Sequence, residues 1–483
     1  MKYFVTLMVV VLLVTATGCF GGRSDGSILM GQMPRGYDMY ITIDPEAMDL
    51  AGILEVLEDN IPKDAIEDIE DADLGIDPFD WDEWKEELGI LDGEIGIISL
   101  IEDEDLVAIF LPCGDGSRLE EFIEDSDFGD TEFFTHGEYT VMVIVWDDDD
   151  LLDDLEDALA EDPLSSDDDY ITIGNATGLD RSCINFFFSE EVAEVPIYGA
   201  FSTNSNESIL KVTVITDDDK VELYTGMLGE GLHSGNIKFP ENTMAAVRYT
   251  MDMDWLTAEY ENLIDDSANA SIEEIEAGLP FIGFESLEEF IAVFQGDFCV
   301  TLQKLELDEY SEFESVEATI AISLRDAEKF MSSMDVISLI AEANREEIDG
   351  VTTYEIRENG DTFWYFISDE VFYGSMNIDP EDIMDGISAG DYFRGDVASR
   401  GFIGGAVDPQ GIMKGIHAED DVEEIITTLF KNRAVFSIAS EEQIFTLTTV
   451  TGPDVLKSFV SLVAVLGGFE EFSSSDTPQR DKH

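Results

Sequence analysis

This chain of 483 residues has to fold against its own charge. Asp and Glu number 109 and Lys and Arg only 24, a formal net charge of -85 at pH 7. Like charges repel across about 10 Å at 0.1 M salt, and that reach contracts to about 3 Å at 1 M. A compact state carrying such an excess is therefore penalised in dilute buffer and relieved in brine. The same excess excludes nucleic acid as a partner, since no basic surface is available to neutralise phosphates. It does not imply disorder: 44% of the residues are hydrophobic and 31 are Phe, enough to build cores. A chain this long also exceeds the roughly 250–300 residues at which a single core stops growing, so more than one domain is expected.

The N-terminus reads as an export signal. Lys2 supplies a positive start, and Phe4 to Val14 is an apolar run of the length of a signal-peptide core. Ala16-Thr17-Gly18 then brings small residues up to Cys19. This pattern resembles the lipobox of prokaryotic lipoproteins, with Ala16 where that family usually has Leu. The resemblance implies that Cys19 becomes the first residue of the mature chain and carries a lipid. An ordinary secretory signal is the alternative, and either one exports the chain. The location expected is the outer face of the cytoplasmic membrane. The acidic, lysine-poor composition resembles that of proteins from halophilic archaea and bacteria, which implies a medium of high salt. As a whole the chain resembles exported lipoproteins of halophilic or methanogenic prokaryotes, and that resemblance assigns no functional residue beyond Cys19. No later segment approaches the roughly 20 apolar residues that span a bilayer, so the membrane is expected as a partner through the N-terminal lipid alone. Residues 20–33, rich in Gly and Ser, read as a flexible tether, and 473–483 as a disordered tail.

Between them recurs a hairpin followed by an acidic turn and a helix. The four copies are 93–100 with 106–112, 195–202 with 209–216, 297–305 with 315–324, and 433–440 with 443–450. Their strands carry the period of two of a sheet with one covered face. A larger repeat lies above this one. Residues 34–48 and 240–256 both read as a Pro-led turn, a strand and a helix opening at an acidic residue, and 400–413 is a weaker third start. The expectation is an α+β protein of two tandem modules, 34–237 and 238–472, each an antiparallel sheet covered on one face by helices. Residues 351–376 read as a three-stranded meander with a tight turn at Asn359-Gly360 and aromatics on both faces of its central strand.

Chemistry-bearing motifs are sparse. Gly386-Ile387-Ser388-Ala389-Gly390, followed by Asp408 and His417, matches the serine elbow pattern, but the acidic stretch 379–385 before it reads as a helix that stops at Gly386. The four histidines are dispersed and no Cys-x-x-Cys occurs, so neither a metal centre nor a cofactor is expected. The acidic runs 147–150, 167–169 and 217–219 lack the calcium-loop spacing; weak binding of cations there is the alternative to solvated helix caps. Trp81 and Trp84 share one helical face and read as packing onto the first sheet, with carbohydrate stacking as the alternative. Cys113, Cys183 and Cys299 cannot make a disulfide framework, although Cys113 and Cys183 could pair. Asn175, Asn206 and Asn269 stand in glycosylation sequons.

These features point to a lipid-anchored, non-enzymatic surface protein with a binding or envelope-structural role, in contact with a surface protein or cations. An exported carboxylate-based hydrolase and a solute-binding lipoprotein of a transporter are the alternatives. The charge yields a first expected outcome. Raising salt from about 0.1 M to about 1 M should raise the unfolding temperature and shrink the radius of gyration by small-angle scattering; a response flat across that range would refute the salt-shielding reading.

Overall fold

The computed structural model describes residues 29–60, 76, 77, 79–100, 106–113, 116–124, 131–145, 155, 157–159, 163–177, 182–189, 195–203, 207–215, 228, 229, 236–263, 276–307, 313–358, 360–393, 397–416, 433–441 and 444–451. The protein is mixed α+β and mostly antiparallel sheet. It divides by contact into two compact units, one of the chain up to Ile215 together with Thr451, the other from Thr216 to Val450.

The first unit is built on eight described strands: β1 (Met39–Ile43), β2 (Ile95–Leu100), β3 (Leu106–Leu111), β4 (Thr131–His136), β5 (Tyr139–Val145), β6 (Ile184–Phe188), β7 (Ile197–Thr203) and β8 (Ser208–Ile215). Every neighbouring pair is antiparallel, and the order across the sheet is β4-β5-β3-β2-β1-β6-β7-β8. In the second unit a short pair, β9 (Lys238–Phe239) with β17 (Ile387–Ser388), stands apart from the main sheet. That sheet contains β10 (Ala245–Thr250), β11 (Phe294–Leu307), β12 (Phe313–Leu324), β13 (Asn344–Ile348), β14 (Val351–Glu358), β15 (Asp361–Ser368), β16 (Val371–Met376), β18 (Ile403–Val407), β19 (Ala434–Glu441) and β20 (Ile444–Thr451). Its order is β13-β14-β15-β16-β12-β11-β10-β18-β19-β20, again antiparallel throughout. The four hairpins read from the sequence are all paired strands here, and the meander is β14 to β16 preceded by one more strand. Gly360 supplies the positive φ of its turn; Asn359 lies outside the described residues.

Acidic residues open the helices, as the sequence suggested. Asp44 accepts from the Ala47 amide, Asp252 from those of Asp254 and Trp255, Asp326 from that of Lys329 and Asp408 from that of Gln410. Each carboxylate satisfies amides that the first turn leaves without partners and meets the positive end of the helix dipole. A negative chain can therefore spend part of its charge on structure.

One expectation fails: the sheets are covered on both faces. In the first unit Ile41, Ile43, Ile95 and Phe186 pack against Trp81, Trp84, Leu119 and Ile123 on one side. Tyr40, Ile98, Phe110, Phe187 and Tyr198 pack against Leu29, Met30, Leu164, Tyr170 and Ile173 on the other. The second unit likewise has two clusters, one around Phe239, Phe366 and Tyr373 and one around Phe284, Phe330, Tyr354 and Tyr365. The cause is visible in the strands. β3 reads LVAIFL and β6 INFFF, apolar at both parities, so neither face can be left to water. Over β10, β11 and β12 the cover is incomplete. Val247, Val300 and Ile320 are direct cross-strand neighbours and are 42%, 52% and 49% exposed.

The tether needs a second correction. Its last residues, 29–33, form a helical turn in the core, with Leu29, Met30 and Met33 fully buried. The Leu29 amide donates to Glu94 at 3.0 Å and the Leu164 amide to the Met33 carbonyl at 2.7 Å. Gly96 on β2 makes room for them: a Cβ there would lie 2.1 Å from Met33 Cε and 2.8 Å from Leu29 Cδ2. Three apolar side chains in a short Gly-flanked stretch outweigh its flexible composition.

The second unit is fastened by one cation. Arg248, at the centre of β10, is fully buried. Its guanidinium donates to the carbonyls of Ala398, Arg400 and Gly401 and to the Thr250 hydroxyl. Burial lowers its pKa from the ordinary value, and the nearby Asp297 carboxylate, also fully buried, opposes that shift. Arg248→Met should strand three carbonyls at about 1–3 kcal/mol each when buried. A loss of about 3 kcal/mol or more in denaturant unfolding is expected, and a loss below about 1 kcal/mol would show that the 398–401 segment is held by something else.

Candidate functional site

The site begins in the segment before β1. The Tyr40 hydroxyl donates to the Pro34 carbonyl and accepts from the Tyr37 amide, both at 3.0 Å, which folds Arg35, Gly36 and Tyr37 back over the sheet. Burial raises the Tyr40 pKa well above the ordinary phenol value, so the hydroxyl stays protonated and keeps the bond to Pro34. On the adjacent strand Phe187 is directly paired with Tyr40, and their rings lie 5.8 Å apart. The Tyr37 ring meets Tyr40 edge-on at 6.5 Å.

The opposite wall is the start of the helix Asp168–Thr177. Asp167 Oδ1 accepts from the amides of Asp169 and Tyr170 at 3.0 Å each, which caps the helix. Its other oxygen pairs with Arg35 Nη2 at 3.0 Å. Between these walls lies an open cavity of about 480 Å³, with Tyr37, Tyr40 and Phe187 at its floor and Arg35, Asp167 and Asp169 around it. Ser189 also lines it, and the Ser189 hydroxyl oxygen is buried with no hydrogen-bond partner among the described residues. The arrangement brings one guanidinium fork, two carboxylates and an unspent hydroxyl to a single concavity lined also by largely buried aromatic rings.

Sequence reasoning did not find this site. Asp167 and Asp169 were singled out only as part of an acidic run, and Arg35 not at all. Residues near 35, 167 and 187 meet because β6 pairs with β1, a long-range fact that no local pattern carries. The one available signal was Arg35 itself, a cation flanked by Pro34 and Gly36 in a chain short of cations.

The residues singled out from the sequence fare differently. Cys19, Asn206, Asn269, His417 and the acidic runs 147–150 and 217–219 lie outside the described residues. Asn175 is exposed on the helix Asp168–Thr177, but the Thr177 hydroxyl of its sequon is buried, donating to the Ile173 carbonyl and to Thr213. Ser388 is the cap of the turn Ala389–Tyr392, accepting from the Asp391 amide at 3.0 Å and donating to its carboxylate at 2.9 Å. Asp408 caps Pro409–Ile416. Both are therefore engaged in helix starts. Trp81 and Trp84 are buried in the core, with Trp84 Nε1 donating to the Asp77 carbonyl at 2.9 Å and its ring edge-on to Phe122. That leaves no indole face for a sugar. Among the described residues no group of three or more His, Cys, Asp or Glu is disposed to hold a metal ion.

Cys113, Cys183 and Cys299 are free and buried, so the possible Cys113–Cys183 disulfide is not formed. Burial pushes the thiol of Cys113 up to about 11 and that of Cys183 to about 12, and raises Cys299 as well.

No protein-family model and no curated protein matches the chain. A solved structure described as crystal form I of TP0453 aligns with 42% of this chain and 88% of its own, at 7% identity and a TM-score of 0.23. Similarity at that level says nothing of this chain's role.

The thiols provide a direct check on the cores. At pH 8 a thiol-reactive maleimide should leave Cys113, Cys183 and Cys299 unlabelled in the native protein and modify all three in denaturant, because the thiolate is the nucleophile and each is suppressed by burial. Rapid native labelling of any one would show that its cluster opens.

Proposed function

We propose that this chain is a lipid-anchored, extracytoplasmic, non-enzymatic protein of a high-salt cell surface, built from two α+β modules of common origin, and that it acts by binding. The observation that carries the binding role is the cavity of the first unit, where groups of both charges converge on aromatic walls. Its carboxylates favour binding over hydrolysis. Asp167 has one oxygen committed to a helix cap and the other to Arg35, so it is not poised as an acid or base.

Common origin is supported by the strand orders. Substituting β10 for β1, β11 and β12 for β2 and β3, β15 and β16 for β4 and β5, and β18 to β20 for β6 to β8 turns the first sheet into eight consecutive strands of the second, whose β13 and β14 extend one edge without a counterpart among the described strands. In each, the central strand ends one to two residues before an aspartate that caps a helix, Asp44 or Asp252. Counting back from those caps, Tyr40 and Arg248 occupy the same position, and both are large side chains wholly buried on the corresponding face. Localisation rests on the lipobox-like stretch ending at Cys19 and on the acidic composition.

The test is metabolic lipid labelling of the full chain in cells, beside Cys19→Ser. Label on the wild type, absent from the variant, with the wild type in the membrane fraction, is the expected result. Recovery of the wild type from cytosol with residues 1–18 still attached would overturn the proposal.

A further inference from the structure

We infer that the cavity of the first unit binds a small zwitterionic solute, with the solute's carboxylate on Arg35 and its ammonium against the Asp169 carboxylate. This inference rests on the binding role proposed above and names its ligand class.

Charge balance makes the first argument. A simple anion entering the cavity would meet Asp167 and Asp169, and a simple cation would meet Arg35. A molecule carrying both charges meets a partner for each. The second argument is geometric. The Arg35 guanidinium carries five donors in a planar fork suited to a carboxylate, and its Nη2 lies 3.0 Å from Asp167 Oδ2. With the Arg35 side chain 47% exposed and that of Asp167 24%, the pair is a solvent-screened, weak one. A ligand carboxylate can therefore share or replace it at little cost, while Asp167 keeps its helix cap through the other oxygen.

The third argument concerns the floor. Tyr37, Tyr40 and Phe187 line the cavity but are more than nine-tenths buried, so the groups left for a solute to pair with are the Arg35 guanidinium and the Asp167 and Asp169 carboxylates. The Ser189 hydroxyl, buried and unpaired on the wall, supplies one more hydrogen bond to a bound carboxylate. A volume of about 480 Å³ falls within the range of small-molecule sites and exceeds that of the smallest zwitterions, so a solute larger than the probe below also fits.

The experiment is calorimetric titration of the mature chain at about 1 M salt, where self-repulsion is screened. Glycine betaine serves as the zwitterion, tetramethylammonium as the cation alone and acetate as the anion alone. Betaine should bind saturably, tetramethylammonium more weakly and acetate not measurably. Arg35→Gln should weaken betaine by about tenfold or more without weakening tetramethylammonium, which loses a like charge, while Asp169→Asn should weaken both. Unchanged thermal unfolding of each variant excludes a folding defect as the cause, and Ser388→Ala, in the second unit, should bind as wild type. Absence of saturable betaine binding, binding indifferent to both Arg35→Gln and Asp169→Asn, or acetate binding as tightly as betaine would each overturn the inference. Lipid labelling at Cys19 is read on the same preparations. If labelling persists while betaine fails, the ligand assignment falls alone; if labelling fails, the wider proposal falls.

Discussion

Everything in this protein is arranged around the repulsion among its carboxylates. With 109 acids and 24 bases, ion pairing cannot neutralise the surface, and exposed pairs would contribute little even if it could. Stability must come from burial, and the sheets deliver it twice, with an apolar cluster on each face. The few cations are placed with economy. Arg248 is sealed inside and gathers a loop, Lys329 and Arg325 hold helices through Glu289 and Asp254, and Arg35 sits at the cavity mouth. Carboxylates at helix starts convert a liability into capping bonds, the cheapest structural use of a negative charge.

Local signals were legible because they depend on neighbours in sequence. Hairpins followed from apolar runs broken by acidic turns, and helix starts from Asp44, Asp252, Asp326 and Asp408. The helix Pro380–Met384 ahead of Ser388 was legible from its acidic run. What escaped was set by pairing between distant segments. The period-two reading of the strands implied one wet face, whereas β3 and β6 carry apolar residues at both parities and demand two cores. The cavity escaped for the same reason, since it exists only because β6 lies beside β1. The burial of Leu29 to Met33 escaped because a glycine on β2, more than sixty residues away, makes the seat for them.

The two units also differ in instructive ways. At the position where the first unit buries Tyr40, whose hydroxyl pins the approach to its own strand, the second buries Arg248, which pins the approach to β18. A phenol satisfies one carbonyl; a guanidinium satisfies three and brings a charge that Asp297 helps to balance. In the second unit the row Val247, Val300 and Ile320 remains open to solvent, so the two sheets are not equally finished surfaces.

The seating of Leu29 over Gly96 limits how far the first unit could stand from a lipid carried on Cys19. Ten positions separate it from Cys19, and a fully stretched chain of that length reaches only about 35 Å. A lipid on that cysteine would then hold the first unit on a short leash, close to the headgroups, with Arg35 only six positions further along. The molecule would sample solutes arriving at the bilayer itself rather than those far out in the medium.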